Sequence, residues 1–430
     1  MDYERMQRVF HCMPEADAVN AEGNILGIKD GLCLSRPADS YDNHNTAVIG
    51  SSGTMKTMGV VMNSIIGCAR RGESMVINDP KSELFDKSAA WLEEQGYTVR
   101  VLNLKDLDRS HSWNPLEAAF EGVEESDVLA TAVWVAKTII ANAKGIDTPT
   151  PDFFRDMARS RLLEAGILYQ YCRWKEGAES LTLSKAHDFI LNNDLTEIEN
   201  AINNLQETPP RNAAKELFEA FKRAGGSAVR NIQFGLLLKL NMFTNADLRR
   251  KTNDNEIDIT LPAKEKCAYF VITSDIDRTH DLISCLFYTA LHIKIAKYAD
   301  ATNEGKCPVP VNFLLDEFPS IGIIPDFAVK VAASRGRNMK YTIVFQSVPQ
   351  IEMLYPIPCS NSILNCCDYI VFSGTDDIET AAYIGDRIKK DSEFVLKIPK
   401  GKALLIRRGE PALECEMFFY TRNPEAAAWN

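Results

Sequence analysis

The chain has 430 residues, of which 45% are hydrophobic and 25% are charged. This length allows two or three domains and a large core without disulfides, and the composition is that of a globular protein, neither disordered nor fibrous. There are 48 lysines and arginines against 59 aspartates and glutamates, so the net charge is −11. Such an acidic chain does not wrap nucleic acid with a generally basic surface, and any contact with DNA or RNA has to be local.

No apolar stretch approaches the roughly 18 to 20 uninterrupted residues that a membrane helix needs. The opening residues, MDYERMQRVFHCMPEADAV, lack the apolar core of a signal peptide. The eleven cysteines form no CxxC pair and the histidines form no HxxxH or HExxH pattern, which argues against a zinc or Cys/His catalytic site. The sequence therefore predicts a soluble, cytoplasmic chain with reduced thiols.

Strand and helix patterns alternate from Thr46 onward, whereas the first forty residues are polar and turn-rich without a clear period. Short apolar runs alternate with longer helical ones in the order TAVIG, MKTMGVVMNSIIGCARR, SMVINDP, SELFDKSAAWLEEQGY and TVRVLNL. This order is the βαβ pattern of a parallel sheet. Right-handed crossovers would then place the carboxyl ends of the strands at one edge.

A helical segment interrupts the sheet pattern. Residues 123–235 hold several helical stretches and few β-branched alternating runs, which predicts an all-α domain of roughly a hundred residues. Sheet character returns after it with the runs KCAYFVITS, PVNFLLDEF, YTIVFQS, CDYIVFSG and KALLIRR. We therefore expect an α/β nucleotide-type domain formed by residues 1–122 and 236–430, with the all-α domain inserted at 123–235.

The strongest local motif stands between a predicted strand and a predicted helix. It consists of Gly50, Ser51, Ser52, Gly53, Thr54, Met55, Lys56 and Thr57. In a phosphate-binding loop, backbone N–H groups and the helix N-terminus face the phosphates, the lysine reaches the β and γ oxygens, and the final hydroxyl can bind Mg²⁺. Met55 replaces the last glycine of the GxxxxGK[ST] pattern. We expect it to begin the helix, where right-handed backbone angles accept a side chain. The alternative is a glycine-containing turn with an incidental lysine.

An acidic pair supplies what this loop lacks. The apolar run PVNFLLDEF ends in Asp316 and Glu317. Asp316 could hold Mg²⁺ through its water shell, and Glu317 could orient or activate an attacking water. An acidic pair after a strand can also cap a helix. Because both motifs are predicted at the carboxyl ends of strands, their combination favours a nucleotide site.

Four further residues are candidates for the same site. Asp79 ends the strand after the loop's helix and is expected at the same edge, although a turn-forming Asp-Pro is the alternative. Gln346 ends a strand expected beside that of the acidic pair, where its amide would lie near the γ-phosphate as a sensor. Arg335 and Arg337 follow an apolar helix; they could complete a neighbouring subunit's site as arginine fingers, or form an ordinary basic helix C-terminus.

Signals for nucleic-acid recognition are weaker. Arg249, Arg250 and Lys251 follow a helical stretch and could contact phosphates, but a solvated charge run is the favoured interpretation. No sequence-reading motif is present, so sequence-specific recognition is not expected.

The ordered set of motifs resembles the type IV coupling proteins, the TraG/TraD-type ATPases of conjugative elements and type IV secretion. The resemblance extends from about Asn45 to about Arg408 and rests on GSSGTMKT, INDPKSEL, SWNPL, DFFRDMARSRLL, LLDEF, ASRGRNMKYTIVFQSVPQI and NCCDYIVFSGTDDIETAAYIG. A phosphate-binding loop alone is shared by many ATPases. The combination is much narrower.

The resemblance implies an α/β fold: a RecA-like P-loop NTPase of the FtsK/HerA kind, with a largely parallel central sheet interrupted by an all-α domain. It implies a homo-hexameric ring at the inner face of the cell membrane, which uses ATP and Mg²⁺ to pass a relaxase-bound single DNA strand, without sequence specificity, to the secretion channel. The all-α domain would receive the relaxase or accessory proteins. The implied roles are phosphate and Mg²⁺ binding for Lys56 and Thr57, a Walker B pair for Asp316 and Glu317, a sensor for Gln346 and a trans arginine finger for Arg337.

Two other functions stay open at this point. The first is a substrate adaptor with a vestigial nucleotide site, which Met55 favours and the retained acidic pair, Gln346 and Arg337 oppose. The second is a motor for other DNA traffic, such as chromosome segregation or end processing. Coupling proteins commonly begin with transmembrane helices and none is predicted here. We therefore expect a trimmed chain or a separate anchor protein, with a hexamer in the anchored state and a monomer without the anchor.

Overall fold

The computed structural model describes residues 3–38, 43–142, 153–274 and 279–429. Within these residues, twelve strands form a single sheet. The strands are β1 (His11–Pro14), β2 (Ile25–Lys29), β3 (Leu32–Ser35), β4 (Thr46–Ile49), β5 (Ser74–Asn78), β6 (Thr98–Asn103), β7 (Cys267–Ile272), β8 (Val311–Leu315), β9 (Met339–Phe345), β10 (Tyr369–Phe372), β11 (Lys402–Arg407) and β12 (Leu413–Glu416). Their spatial order is β1-β3-β2-β12-β11-β10-β4-β9-β8-β5-β7-β6.

Seven neighbouring strands of this sheet, from β10 to β6, are parallel. β4 lies between β10 and β9, with Ala47 opposite Ile370 on one side and Ile343 on the other. β8 lies between β9 and β5. Because parallel strands run in one direction, the carboxyl ends of β4, β9, β8 and β5 meet at one edge. The predicted α/β fold with a largely parallel sheet is confirmed.

The other part of the sheet is antiparallel and consists of β1, β2, β3, β11 and β12. β2 and β3 form a hairpin whose turn, Asp30-Gly31, has positive φ at both residues (51° and 79°). The sequence shows no clear period here because the strands are only four or five residues long and β2 is buried on both faces. The Asp-Gly pair was the available signal for a hairpin.

Some helices cover the two faces of the sheet. Others form the chain segment between β6 and β7. The helices are α1 (Tyr3–Val9), α2 (Met62–Arg71), α3 (Glu83–Glu94), α4 (Pro115–Phe120), α5 (Val128–Asn142), α6 (Phe153–Lys175), α7 (Leu183–Asn192), α8 (Leu195–Asn203), α9 (Pro209–Gly225), α10 (Val229–Lys239), α11 (Ala246–Thr252), α12 (Leu261–Lys264), α13 (Asp281–Ala301), α14 (Phe327–Ser334), α15 (Val348–Glu352), α16 (Ile357–Asn365), α17 (Ile378–Ile388) and α18 (Ser392–Leu396). In the described part of the chain, none of them has the length and hydrophobicity to span a bilayer.

Between α5 and α11 the described residues form helices joined by short turns and loops, with no strand; residues 143–152 lie outside the described ranges. Leu162, Leu168 and Phe218 are buried between these helices. Their apolar cluster continues onto one face of the sheet, where it includes Ala47 and Ile49. The all-α domain at 123–235 remains a prediction as a domain division. In the structure α10 continues through residue 235 and helices extend to Thr252.

Both faces of the central strand β4 are covered. Ala47 and Ile49 belong to the cluster on one face, Val48 belongs to the cluster on the other, and all three are fully buried. Successive side chains of a strand point to opposite faces, so a strand buried on both sides has a continuous apolar run. This explains why TAVIG reads as apolar throughout.

A buried ionic network joins the strands at the edge opposite their carboxyl ends. Glu73, just before β5, accepts hydrogen bonds from Arg71 at 2.9 Å, Lys340 of β9 at 2.6 Å and Asn312 of β8 at 3.0 Å. Burial alone would raise the pKa of the Glu73 carboxyl, but the two cations and their hydrogen bonds lower it to about 2. The ionised Glu73 therefore holds β5, β8 and β9 together at this edge.

Replacing Glu73 tests this network. Glu73→Gln leaves two buried cations without their shared carboxylate, so we expect the free energy of unfolding at neutral pH to fall by about 3 kcal/mol. Because the folded pKa lies below the ordinary value of 4.5, the wild-type advantage is complete above pH 4.5 and is lost as the pH falls from 4.5 towards 2. Urea denaturation at neutral pH and at about pH 3.5 measures both effects.

The matched control is Glu416→Gln. Glu416 pairs with Lys402 on the surface, where both side chains are about half exposed, and such pairs contribute little. A Glu73→Gln variant that is no less stable than this control at neutral pH would contradict the account of the network.

Candidate active site

The glycine-rich loop, residues 50–57, connects β4 to the helical turn that precedes α2. Both glycines of the loop are needed for the course of its backbone. A Cβ on Gly50 would lie 2.1 Å from Ser373 Oγ and 2.7 Å from Thr54 Oγ1, so no side chain fits there. Gly53 has a φ of +77°, which glycine adopts without strain. The loop therefore has the tight backbone course that a phosphate cradle needs.

The loop is braced by the segment that follows β10. Ser51 donates its backbone N–H to the Gly374 carbonyl at 2.9 Å, and the Ser373 hydroxyl donates to Thr54 Oγ1 at 2.8 Å. Thr54 in turn donates to the Ser51 carbonyl at 2.8 Å. The sequence prediction did not include Ser373 and Gly374. The available signal was a Ser-Gly pair directly after a buried strand of the parallel sheet.

The expectation for the backbone of Met55 was wrong. Met55 has a φ of +62°, in the left-handed region, and its side chain is 50% exposed. The right-handed turn begins one residue later, at Lys56, whose φ and ψ are −55° and −47°. Met55 instead provides the carbonyl that accepts the first bond of the helix, from Gly59 N–H at 2.8 Å. Met55 therefore carries backbone strain that a glycine at this position would avoid.

Lys56 and Thr57 project from the start of the helix towards the centre of the site. The buried Lys56 ammonium donates to the carbonyl oxygens of Gly50 at 2.5 Å and Ser51 at 3.1 Å. Burial lowers the pKa of this ammonium, and the negative charges of Glu317 and Asp316 oppose the shift. The Thr57 hydroxyl donates to Asp316 Oδ2 at 2.7 Å. The predicted loop and acidic pair thus meet in the structure.

Asp316 is held at the carboxyl end of β8. Burial raises the pKa of its carboxyl to about 6; the hydrogen bond from Thr57 opposes this shift and the neighbouring Glu317 adds to it. Asn78 donates its side-chain amide to the Asp316 carbonyl at 2.5 Å, which fixes the backbone. Asn78 was not predicted, although it stands beside Asp79 at the end of β5. A hydroxyl and a carboxylate in contact form a donor set of hard oxygen atoms that suits Mg²⁺.

Asp79 lies at the predicted edge of the sheet and also makes local hydrogen bonds. Its carboxylate accepts the Phe85 N–H at 2.8 Å and so caps the first turn of α3, while the residue also borders the cavity of the site. Burial raises the pKa of its carboxyl to about 6, against the effect of the backbone hydrogen bonds.

Glu317 is clamped by two glutamine amides. Its backbone is left-handed, with φ and ψ of 47° and 56°. Gln346 donates to both carboxylate oxygens at 3.2 Å, and Gln350 donates to Oε1 at 2.8 Å. The predicted adjacency of the Gln346 strand and the acidic pair is confirmed by the pairing of β8 with β9. Gln350 was missed; the available signal was a second polar amide four residues after Gln346, in the short helix α15 that follows β9.

These groups surround a cavity of about 740 Å³, a volume typical of small-molecule sites. Its walls include Ser52, Gly53, Met55, Lys56, Thr57, Asp79, Asp316, Glu317, Gln346 and Gln350. Gly50, Ser51 and Thr54 are not among the wall residues and form the base of the loop. The cavity therefore combines a cation, a glycine-rich turn, a hydroxyl and two carboxylates, which fits a nucleoside triphosphate with Mg²⁺.

Arg337 lies away from this cavity. Its guanidinium makes a two-point ion pair with Asp300 at 2.8 and 2.9 Å. Its carbonyl accepts the Cys307 N–H, near the amino end of β8 and β9. Arg335 is exposed nearby. Neither arginine can act on the cavity of its own chain from these positions.

The basic residues Arg249, Arg250 and Lys251 of α11 bind partners within the chain. Arg249 makes a two-point contact with Asp188 at 2.5 and 2.7 Å. Arg250 donates to Asp108 at 2.9 Å, and Lys251 donates to the Ser110 carbonyl. These contacts within the chain favour a surface charge run over a contact with nucleic-acid phosphates.

The largely parallel sheet, with the glycine-rich loop after β4, has the RecA-like P-loop fold. The family model described as Type IV secretory system Conjugative DNA transfer matches residues 15–390, and the chain belongs to this family.

Among similar proteins, VirD4 of Agrobacterium fabrum is 23% identical over 377 residues, which cover 85% of this chain and 53% of VirD4. The chain thus spans about half the length of the curated relatives it matches. The bacterial conjugative coupling protein TrwBdeltaN70, in its unbound monoclinic form, has a TM-score of 0.70 at 14% identity, covering 96% of this chain and 93% of TrwBdeltaN70. TrwB in complex with ADP and Mg²⁺ has a TM-score of 0.67 at 14% identity, with coverages of 90% and 87%.

The backbone of Met55 can be tested by substitution. Met55→Gly removes left-handed strain, whereas Met55→Val places a β-branched residue in the same region. We expect the free energy of unfolding of Met55→Val to lie about 1 kcal/mol below that of Met55→Gly. Urea denaturation measures the difference.

Met58 provides the matched control because it lies within the helical turn Thr57–Val61. At a helical position glycine is the poorer residue, so the order should reverse there and Met58→Val should be more stable than Met58→Gly. If valine were preferred at both positions, the left-handed assignment of Met55 would be wrong.

Proposed function

We propose that this chain is the ATP-hydrolysing motor part of a type IV coupling protein, which passes relaxase-bound single-stranded DNA or protein substrates to the transfer channel. The observation that carries the proposal is the meeting of Lys56, Thr57, Asp316, Glu317 and Gln346 around one cavity. These are the groups that phosphoryl transfer requires: a phosphate-binding cation, Mg²⁺ ligands and a carboxylate for the attacking water.

In this mechanism each side chain has one task. Lys56 exchanges its bonds to the Gly50 and Ser51 carbonyls for bonds to the β and γ phosphate oxygens. Thr57 and Asp316 would hold Mg²⁺, which would supply positive charge to the phosphate oxygens. Glu317 accepts the proton of the water that attacks the γ-phosphorus as the bond to the β-phosphate oxygen breaks.

The comparisons support nucleotide and Mg²⁺ as cofactors. TrwB, which shares the fold, has been solved with ADP and Mg²⁺. The family is defined by conjugative DNA transfer, which supports single-stranded DNA as the moved substrate and components of the secretion channel as partners. We include contact with the DNA without sequence specificity in the proposal, because the sequence contains no sequence-reading motif.

We further propose a homo-hexameric ring at the inner face of the membrane. Arg337 lies near the amino ends of β8 and β9 and cannot reach its own cavity, so an arginine-finger role requires a neighbouring subunit and opening of the pair with Asp300. Beside the cavity, Met353 and Ile357 are 82% and 59% exposed. Apolar side chains at the rim of a nucleotide site suit a subunit contact.

The helical segment is proposed as the docking domain for the relaxase or accessory proteins. Its surface exposes large apolar side chains: Phe153 and Phe154 at the start of α6, and Phe234 and Leu238 on α10, are each at least 60% exposed. Apolar groups of this size on a surface are typical of protein contact sites.

ATP hydrolysis with and without single-stranded DNA tests the motor. We expect the wild type to hydrolyse ATP faster with DNA, and Lys56→Ala and Glu317→Gln to lower kcat at least about 100-fold. Glu317→Gln should still bind Mg²⁺ and ATP, because it removes only the proton acceptor. The matched controls are Lys402→Ala and Glu416→Gln, an exposed pair on β11 and β12, which should retain wild-type rates.

Other outcomes identify the alternatives. A wild type that binds a relaxase through the helical segment but neither binds nor hydrolyses ATP, with or without DNA, would overturn the motor and leave the adaptor. A DNA-stimulated ATPase that captures no relaxase would indicate a motor for other DNA traffic.

A further inference from the structure

Gln350 makes two hydrogen bonds that link the end of β9 to the acidic pair. Its side-chain carbonyl accepts the backbone N–H of Gln346 at 2.8 Å, and its side-chain amide donates to Glu317 Oε1 at 2.8 Å. The bond to Glu317 is shorter than the two from Gln346, which are 3.2 Å each. Among the described residues, the side chains of Gln346 and Gln350 donate hydrogen bonds to this carboxylate. Gln350 is the closer of the two.

The backbone N–H of Gln346 decides which way the Gln350 amide faces. An N–H group can only donate, so the Gln350 oxygen must face Gln346 and its NH₂ group must face Glu317. The reverse orientation would set the amide oxygen against a carboxylate and an NH₂ group against an N–H. Gln350 is therefore a fixed donor to Glu317.

The helix that carries Gln350 is anchored in the core. In α15, Val348 is 5% exposed and Ile351 is fully buried, and the Val348 N–H donates to the buried Thr380 hydroxyl at 2.9 Å. Two residues beyond Ile351, Met353 is 82% exposed. Gln350 thus stands on a firmly held turn.

We propose that Gln350 is the positioning residue for the Glu317 carboxylate. This inference rests on the proposed hydrolytic function of the cavity. Gln346 cannot donate fully to Glu317 and also read the γ-phosphate, whereas Gln350 keeps its bond to Glu317 in either case. The Gln350 amide therefore holds the proton acceptor towards the attacking water while Gln346 is free to bind phosphate.

The test measures kcat, KM, the Kd for a fluorescent ATP analogue with Mg²⁺, and Tm in the full chain. Gln350→Met removes both hydrogen bonds at similar side-chain length. Gln350→Glu keeps the acceptor for the Gln346 N–H but replaces the donor with a charge that repels Glu317. We expect both variants to lower kcat about 10- to 100-fold and Tm by no more than a few degrees, with the Kd of Gln350→Met within about twofold of wild type.

The matched control is Glu352→Gln on the same helix, which lies outside the cavity wall and should keep the wild-type kcat. A Gln350→Glu variant with wild-type kcat would overturn the inference, because the acceptor alone would then suffice. A loss of kcat matched by a similar weakening of Kd would also overturn it, since that result indicates a binding role. If Gln350→Met fails to fold, Gln350→Glu alone decides.

Failure of the proposed function gives a different result. A wild type without ATP hydrolysis would overturn the motor and this inference together. A wild type that hydrolyses ATP, with Gln350→Met at the same kcat, would overturn the inference alone.

Discussion

Parallel pairing of β4 with its neighbours is the constraint on which the site depends. Because β4, β9, β8 and β5 run in one direction and lie side by side, the residues that follow them share one edge of the sheet. The glycine-rich loop, Gln346, the acidic pair and Asp79 come from four distant parts of the chain and meet for this reason alone. Packing on both faces fixes the strands, and hydrogen bonds such as that from Gln350 to Glu317 order the side chains at their ends.

Carboxylates at the two edges of the sheet change the stability of the fold with pH in opposite directions. At the opposite edge the pKa of Glu73 is lowered to about 2, so its contribution to stability is present above pH 4.5 and lost as the pH falls below that value. At the site the pKa values of Asp79 and Asp316 are raised from 3.8 to about 6. The folded state then binds these protons more tightly than the unfolded state, and stability falls as the pH rises from 3.8 to 6. At neutral pH the ionised Asp79 and Asp316 therefore lower the stability of the fold, whereas the ionised Glu73 raises it.

The sequence was most informative where a pattern is local. Apolar runs predicted the strands of the parallel part, and strand order placed Asp316, Glu317 and Gln346 at one edge. The conformation of Met55 could not be predicted this way, because its positive φ results from how the loop returns to the helix. Ser373 and Gly374 brace the loop from a strand more than 300 residues away, and Gln350 acts through a side-chain contact that spacing only suggests. Such residues depend on the three-dimensional packing.

A crystal structure of this chain with Mg²⁺ and a non-hydrolysable ATP analogue tests the central claim most directly. The account predicts phosphates within the loop of residues 50–57, with Lys56 Nζ on their oxygens in place of the carbonyls of Gly50 and Ser51. It predicts Mg²⁺ on the Thr57 hydroxyl, with Asp316 in its water shell. A nucleotide bound elsewhere, or Lys56 still on the two carbonyls with no phosphate in the loop, would contradict it.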